Sequence, residues 1–406
     1  MANHLGLRST YQTAATENRQ IRVVDQKIAD LEPNEAPLLT LMLKLNKREP
    51  TPNPSFEWYE RDFTPRWAQL GSTTVSNTTS ANTISVLDAT LFVAGEIWAV
   101  PRAVSVSTHP ELIRVTSVNT STNVITVTRA FASTSIDTIS ASASLRLAGA
   151  AELEGAAVPD SKSSTPTVKT SYTQIFRTAI DPLTWTALSQ RNYGTENGGE
   201  RKDLQRLGLI EHKIRINSAL LFGKSASATS GENYLRTTQG LFSTISTNIY
   251  NMNGTLTMKA MESWCRMAFR YGPKKKILLA DPLMTSALSQ WANNYIQLSV
   301  NETKFGVAIK TWRSPHGELM IVNDWMLENG VSGQNGFAGR SAIVDLDQIT
   351  YMYLAGNGYN RDTKLLPDVK KDGQHRVVDE YYAEVGFKIK REQYHSFCYN
   401  YTDYAA

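Results

Sequence analysis

The sequence predicts an α+β fold, and three observations support this prediction. Residues 257–291 have the pattern helix, strand, helix; residues 381–390 alternate between apolar and polar as a half-buried strand does; and residues 71–149 are rich in β-branched side chains. The chain has 406 residues, whereas a single compact domain has roughly 100–150. We therefore expect two or three packed units.

The first predicted element is a short amphipathic helix that follows Asn34. Pro37 lies in its first turn, where no amide hydrogen bond is lost, and Leu38 and Leu41 belong to its apolar face. The prolines of residues 49–54 exclude a helix there. An aromatic-rich strand is predicted after them, over residues 55–63.

A sharp change in composition predicts a separate all-β domain. Between residues 71 and 149 charges almost vanish and Ser, Thr, Val and Ile dominate. Strands are predicted at 83–86, 96–100, 112–118 and 124–128. Short strands at regular spacing are typical of a small barrel or sandwich, so we predict an inserted domain over residues 71–155.

A long helix is predicted between Gly199 and Gly223, with a length of about 36 Å at 1.5 Å per residue. Glu211 and Arg215 form an i,i+4 pair on its surface, and Gly223 suits its C-terminal end. The apolar residues lie on two stripes, one with Leu204, Leu207, Ile214 and Leu221 and the other with Leu209, Ile216 and Leu220.

Two shorter helices flank a buried strand at residues 277–279. Thr257 is placed to cap the first, with Leu256 and Met261 as its hydrophobic staple. Asp281 and Pro282 provide a cap and a first-turn proline for the second.

The remaining chain is predicted to be mostly strand. We expect a hairpin over residues 305–322, strands at 343–344 and 349–354, and a long exposed loop over 355–379. In the last strand, Tyr381 and Phe387 belong to the buried face, and Glu384 and Lys388 to the solvent face.

Composition excludes several classes of protein. The net charge of +4 is far from the strongly basic surface of a sequence-reading nucleic-acid binder. Cys265 and Cys398 are too few for a disulfide framework or a four-ligand zinc site. The sequence has no signal-peptide pattern and no apolar run of about 20 residues, so we expect a soluble chain made in a cytoplasm, with no membrane partner.

The search for reactive groups predicts no enzyme: we predict no catalytic residue, no cofactor and no metal ligand. His395 and Cys398 are expected on opposite faces of a strand. Asp345 and Asp347 would share a strand face, either as a cation site or as a solvated edge. Residues 274–276 form the only local basic run, which either contacts nucleic-acid phosphates or is a solvated connection.

Three segments carry a family resemblance. They are residues 31–39 (LEPNEAPLL) followed by 56–60 (FEWYE); residues 219–224 (ALLFGK) followed by 236–241 (RTTQGL); and the ending from Gly373 to His395. Together they resemble the tailed-bacteriophage major capsid protein family, in the branch with a β-rich insertion in the extended loop.

The resemblance implies the Hong Kong ninety-seven-type (HK-ninety-seven-type) capsid fold. Its parts would be an N-terminal arm (1–48), an extended loop (49–70 and 156–190), the inserted β-domain (71–155), a spine helix with the peripheral domain (191–254), a mainly axial domain (255–355), an axial loop (356–379), and a peripheral-domain strand with the C-terminus (380–406).

The function implied by this resemblance is that of a major capsid protein of a tailed dsDNA phage. Copies would assemble in the bacterial host cytoplasm into hexamers and pentamers of an icosahedral or prolate shell that encloses the genome. Implied partners are a separate scaffolding protein, a portal, a decoration protein and packaged dsDNA, contacted non-specifically. The predicted assembly contacts are Leu38, Trp58, Glu211, Arg215, Lys364 and Asp368.

The sequence departs from the family in two respects. Asn217 stands where an acidic residue would be unsurprising near the end of the spine helix. No lysine, asparagine and glutamate set for covalent cross-linking is identifiable, so we predict no cross-links. Three alternatives stay open. An encapsulin-like shell would hold no nucleic acid, a cytoplasmic enzyme with a β-rich accessory domain would be a monomer, and a tail or decoration protein would lack the long helix.

Overall fold

The computed structural model describes residues 36–100, 109–136, 138–152, 154–155, 157–189, 199–295, 299–304, 307–327, 339–369, 373 and 375–405. Its helices are α1 (Pro37–Lys44), α2 (Trp185–Ser189), α3 (Glu200–Phe222), α4 (Leu241–Thr244), α5 (Met258–Ala268) and α6 (Pro282–Tyr295). Its strands are β1 (Arg48–Thr51), β2 (Ser55–Glu60), β3 (Trp67–Gln69), β4 (Thr83–Ser85), β5 (Glu96–Ala99), β6 (Leu112–Asn119), β7 (Val124–Thr128), β8 (Ser144–Ala150), β9 (Thr167–Tyr172), β10 (Gln174–Ala179), β11 (Leu183–Thr184), β12 (Ala226–Ser230), β13 (Asn233–Thr237), β14 (Ile249–Leu256), β15 (Lys275–Ala280), β16 (Ser299–Lys304), β17 (Val307–Ser314), β18 (Gly317–Asn323), β19 (Ser341–Val344), β20 (Ile349–Gly356), β21 (Tyr359–Asn360), β22 (Lys364–Leu366), β23 (Arg376–Val377), β24 (Glu380–Ile389) and β25 (Ser396–Tyr404).

These elements form two compact units. One contains the described residues up to Trp58 together with those from Thr170 onward, and the other runs from Tyr59 to Lys169. We call them the body and the β-unit. The mixture of helices and sheets in the body confirms the predicted α+β class.

The first sheet of the body has the order β1-β20-β24-β10, with β21 paired to β20 and β22 paired to β24. Helices α1 and α3 bury their apolar residues against it. The shared core includes Leu38, Ile216, Leu220, Tyr351 and Phe387, each 1% exposed or less. Burial on this scale is the main driving force for docking a helix on a sheet.

The second sheet of the body has seven strands in the order β14-β25-β19-β15-β18-β17-β16, with β15 parallel to β18. Helices α5 and α6 supply Trp264 and Leu288 to its core. Both predicted caps are confirmed: the Thr257 hydroxyl accepts from the Ala260 amide at 3.1 Å, and an Asp281 carboxylate oxygen accepts from the Met284 amide at 2.8 Å.

The β-unit is built around one six-stranded sheet with the order β3-β8-β5-β6-β7-β4. Its core contains the indole of Trp98, which is fully buried. Glu111 and Arg129 form a buried ion pair at 2.6 Å, and Arg129 also donates to the Ser76 carbonyl. Because each charge has several partners, the pair avoids the penalty of a lone buried charge. That this unit is an insertion at residues 71–155 stays a prediction.

Three predictions about individual elements were wrong. The stretch 355–379 is not one exposed loop, because it contains β21, β22 and β23, which pair with β20, β24 and β11. Strand β24, predicted to be half exposed, has no continuous solvent face. Glu384, on the predicted solvent face, is only 6% exposed, and β24 lies between β20 and β10. The buried face of α3 is not an apolar stripe, because it includes Gly208, His212 and Asn217, while Leu207 is 39% exposed.

Candidate assembly elements

Helix α3 is the longest described helix, and its buried face is fitted to the first sheet of the body. A Cβ atom at Gly208 would lie 3.0 Å from Cγ1 of Ile180, so a larger residue has little room there. One turn later, Nδ1 of His212 lies 3.0 Å from the hydroxyl of Thr178, and its ring lies 5.9 Å from that of Tyr381. Burial lowers the pKa of His212 to about 4, so the imidazole is neutral at pH 7.

The opposite face of α3 carries the predicted pair. Glu211 and Arg215 form an ion pair along the helix, with side chains 54% and 50% exposed. Arg215 also donates to the carbonyl of Arg177 at 3.3 Å. An exposed pair of this kind stabilises a helix by only about 0.3–0.5 kcal/mol, so it leaves both charges available to another surface. Their role as assembly contacts stays a prediction.

The first turn of α3 is held by a buried carboxylate that the sequence analysis missed. Both oxygens of Asp379 accept from the Arg201 guanidinium at 2.7 Å, and the Gln205 side chain donates at 2.7 Å. The backbone amide of Asp368 adds a fourth hydrogen bond at 2.9 Å. The Arg201 hydrogen bonds lower the pKa of Asp379 to about 2. We call this set of groups the Asp379 network.

The end of α3 is joined to α1 through Asn217. Its side-chain oxygen accepts from the Leu39 amide at 3.2 Å, and its amide nitrogen lies 3.1 Å from the sulfur of Met326. Asn217 is fully buried, so an ionised aspartate at this position would carry the desolvation cost of a buried charge. Leu38, beside this contact, is fully buried in the body, so its side chain has no surface for another subunit.

Strands β2 and β9 form a two-stranded ribbon, and each pairs with no other described strand. On one face, Phe56 and Trp58 pack with Met352 and are 8% and 7% exposed. On the other face, Tyr59 is 75% exposed and Val168 is 49% exposed. Because Met352 covers only the side of the ribbon that carries Phe56 and Trp58, the exposed face is suited to a further contact.

The remaining predicted contacts lie in the polar stretch before β24. Lys364 is exposed on β22, opposite Tyr382 of β24. The Asp368 side chain is exposed, and its backbone has a left-handed φ of 55°. The backbone amide of Asp368 is linked to Arg201 through Asp379, and the charge of Asp368 also helps to raise the pKa of Arg201. Lys364 and Asp368 as assembly contacts stay predictions.

The basic run at residues 274–276 is not a uniformly solvated connection. Lys276 is 1% exposed, and its ammonium donates to the carbonyls of Ala268, Tyr271 and Tyr394 at 2.7–2.8 Å. Burial lowers its pKa to about 8. The prediction was wrong for Lys276 because tertiary packing gives its charge three acceptors.

The predicted carboxylate pair has a different geometry from that expected. Asp345 caps the short 3₁₀ helix Leu346–Gln348 by accepting from the Asp347 amide at 3.1 Å. Asp347 points away to Lys47, 2.5 Å distant. The two carboxylates therefore do not share a strand face.

His395 is fully buried and has two backbone partners. Nδ1 accepts from the Asp345 amide at 3.3 Å, and Nε2 donates to the Lys390 carbonyl at 3.1 Å. This pattern fixes one neutral tautomer, and burial lowers the pKa of His395 to about 4. Cys398 is also buried, and burial raises the pKa of its thiol. A raised thiol pKa opposes reactivity.

Over the described residues, no group of three or more His, Cys, Asp or Glu side chains is placed to hold a metal ion. No helix in the described part of the chain is both long and apolar enough to cross a membrane.

A family model described as SU10 major capsid protein matches residues 7–402. Comparison with curated proteins finds no match. Among solved structures, the chain is similar to the capsid of a native GTA particle (9% identity, 98% of this chain and 100% of that chain, TM-score 0.48). It is also similar to a structure of Mycobacterium phage Bobi (9% identity, 98% of this chain and 99% of that chain, TM-score 0.47). A third similar structure is the holo-SrpI encapsulin complex of Synechococcus elongatus PCC 7942 (12% identity, 60% of this chain and 80% of that chain, TM-score 0.43).

Proposed function

The chain belongs to the SU10 major capsid protein family, and from this premise we propose how it builds a shell. It is a phage major capsid protein that associates with copies of itself in the virion capsid, as its family resemblance predicts. We propose that the copies form hexamers and pentamers of an icosahedral or prolate shell around a dsDNA genome. We also propose that assembly takes place in the host cytoplasm and that the subunit has no enzymatic role.

The ribbon of β2 and β9 is the observation that supports this proposal best. Its outer face exposes Tyr59 and Val168, and each strand has an edge without a described partner. Exposed apolar side chains and open strand edges are features that proteins cover or protect. A neighbouring subunit that lies on the ribbon would cover both.

The resemblance also leads us to propose roles for other segments. Residues 1–48 would act as an arm: helix α1 anchors it in the core of the body, and the preceding residues 1–35, which lie outside the described part of the chain, would reach a neighbour. A separate scaffolding protein would guide assembly, a portal would occupy one vertex, and a decoration protein would bind the finished shell. Glu211, Arg215, Lys364 and Asp368 keep their proposed contacts with neighbours, since all four are exposed.

The test is negative-stain microscopy of the purified full chain, with and without surface changes on the ribbon. We expect closed shells from the unaltered chain. The double variant Tyr59→Ser, Val168→Ser removes apolar area worth about 2–3 kcal/mol at each contact, so the yield of shells should fall at least tenfold. Leu87→Ser is the matched control, because Leu87 is 66% exposed but lies off the ribbon.

Three outcomes separate the possibilities. An unaltered chain that stays a monodisperse monomer at micromolar concentration would overturn the shell function and favour the enzyme alternative. Normal shells from the double variant would overturn the role of the ribbon alone. Particles purified from their natural source without nucleic acid would indicate a nanocompartment of the encapsulin kind.

A further inference from the structure

A basic cleft of about 870 Å³ lies beside helix α5. Arg266, in the last turn of α5, and Arg270, four residues later, line it together with Lys274. His316, in the turn between β17 and β18, also lines it. None of the described residues that line the cleft is an Asp or a Glu.

The cleft concentrates charge that the chain as a whole lacks. Residues 266–276 contain five Lys or Arg residues and no acidic residue, whereas the whole chain has a net charge of +4. Lys276 is buried against three carbonyls, and Lys275 lies 3.3 Å from Glu318. The other three, Arg266, Arg270 and Lys274, are exposed to solvent.

The Arg270 guanidinium lies 5.5 Å from the centroid of the Tyr271 ring, and another cation already stabilises the end of helix α5. Cations are often found at a helix C-terminus because they compensate its dipole and its unpaired carbonyls. Here the buried ammonium of Lys276 already binds the Ala268 and Tyr271 carbonyls. The nearby acid, Glu262, is engaged by the Ser314 hydroxyl at 3.0 Å and by His316 at 3.3 Å. The charged side chains that line the cleft are therefore basic, and Glu262 adds one negative charge next to His316.

The lining also indicates which kind of anion fits. Phe269 is buried in the core behind the cleft, and Tyr250 and Met267 are partly buried against the same core. The exposed side chains of the lining are all polar, namely Thr247, Arg266, Arg270 and Lys274. Guanidinium groups match phosphate with paired hydrogen bonds. A set of phosphate contacts without base-reading groups gives binding that is independent of sequence.

We propose that this cleft binds the phosphate backbone of duplex DNA enclosed by the shell, through Arg266, Arg270 and Lys274. This assignment rests on the proposed function, because it takes the genome as the polyanion that the subunit meets. It adds to that function a defined site for the contact between shell and DNA.

The test measures how salt weakens the binding of a fluorescein-labelled duplex, about 20 base pairs long, to the purified full chain. Each cation that neutralises a phosphate contributes about 0.9 to the slope of log K against log salt concentration. The triple variant R266Q/R270Q/K274Q should therefore reduce the slope by about 2.7. The control variant R146Q/K213Q/K259Q removes the same charge from exposed positions outside the cleft and should leave the slope nearly unchanged.

Microscopy of the same proteins separates this proposal from the shell function. Shells that form normally from the triple variant, together with the reduced slope, support the cleft as a DNA site. Equal slopes for the triple and control variants overturn the proposal while leaving the shell function intact. An unchanged slope with loss of shells from the triple variant also overturns it, and would assign the cleft to an acidic segment of a protein partner.

Discussion

Replacing Asp379 with asparagine tests whether the Asp379 network fixes helix α3 to the body. The carboxylate accepts four hydrogen bonds, from Arg201 twice, from Gln205 and from the Asp368 amide. An asparagine side chain at this position would lack the negative charge and would present a donor where one acceptor oxygen now stands. Asp379→Asn should therefore weaken the attachment of the first turn of α3 without removing any apolar packing.

The expected loss follows from the pKa of Asp379. A shift from 3.8 to about 2 corresponds to at most about 2.4 kcal/mol, at 1.36 kcal/mol for each pKa unit. The Arg201 side chain is 32% exposed, so solvent screens the pair and we expect about 1–2 kcal/mol. Because the folded-state pKa is lowered, this stabilisation is fully present above about pH 4 and is lost as the pH falls towards about 2.

Urea unfolding of the unassembled full chain, followed by far-ultraviolet circular dichroism, measures this loss. All described α-helices belong to the body, so the helical signal reports on the unit that contains Asp379. Glu211→Gln is the control, since it breaks an exposed ion pair on the same helix and should change the free energy of unfolding by less than about 0.5 kcal/mol.

Two results would refute this reasoning. One is an Asp379→Asn variant as stable at pH 7 as the unaltered chain. The other is a loss of stability that is equal at pH 7 and pH 3, because a charge-dependent contribution must shrink as the carboxylate becomes protonated.

Three further predictions use the same unfolding measurement. Burial raises the pKa of Asp281 to about 6, so the unaltered chain should lose stability as the pH rises from about 4 to 6 and the buried carboxyl becomes charged. The free energy of unfolding of Asp281→Asn, relative to that of the unaltered chain, should therefore rise by roughly 2 kcal/mol between about pH 4.5 and 7.5. Lys276→Met leaves three buried carbonyls without their donor and should cost about 1–3 kcal/mol, whereas Lys275→Met, at an exposed position, should cost less than about 0.5 kcal/mol. Asn217→Leu should cost about 1–3 kcal/mol, because the buried Leu39 amide loses its acceptor; an unchanged midpoint would refute that link.

Local sequence patterns predicted the elements of the body well. The caps at Thr257 and Asp281 set the starts of α5 and α6, and the predicted ends of α3 at Gly199 and Gly223 agree with the observed helix Glu200–Phe222. Such signals are readable because capping, helical period and proline geometry act between residues that are close in sequence.

Contacts between distant residues were not predictable in this way. Arg201 and Asp379 are 178 residues apart, and Lys276 meets the Tyr394 carbonyl over 118 residues. Nothing in the local pattern around Asp379 distinguishes a buried acceptor of four hydrogen bonds from a solvated loop carboxylate. For the same reason the polar stretch before β24 was predicted to be a loop, although its short strands pair with β11, β20 and β24.

The ribbon shows why assembly contacts are the hardest feature to assign from sequence. Alternation along β2 predicts that Trp58 and Tyr59 face opposite sides, but an apolar side chain is equally suited to its own core and to a neighbour. In the folded chain Trp58 is 7% exposed against Phe56 and Met352, and Tyr59 is 75% exposed. Because the body already covers Trp58, the surface left for a second copy belongs to the side of the ribbon that carries Tyr59. We therefore add Tyr59, on the opposite face of the strand, to the proposed contacts, and Trp58 as an assembly contact stays a prediction.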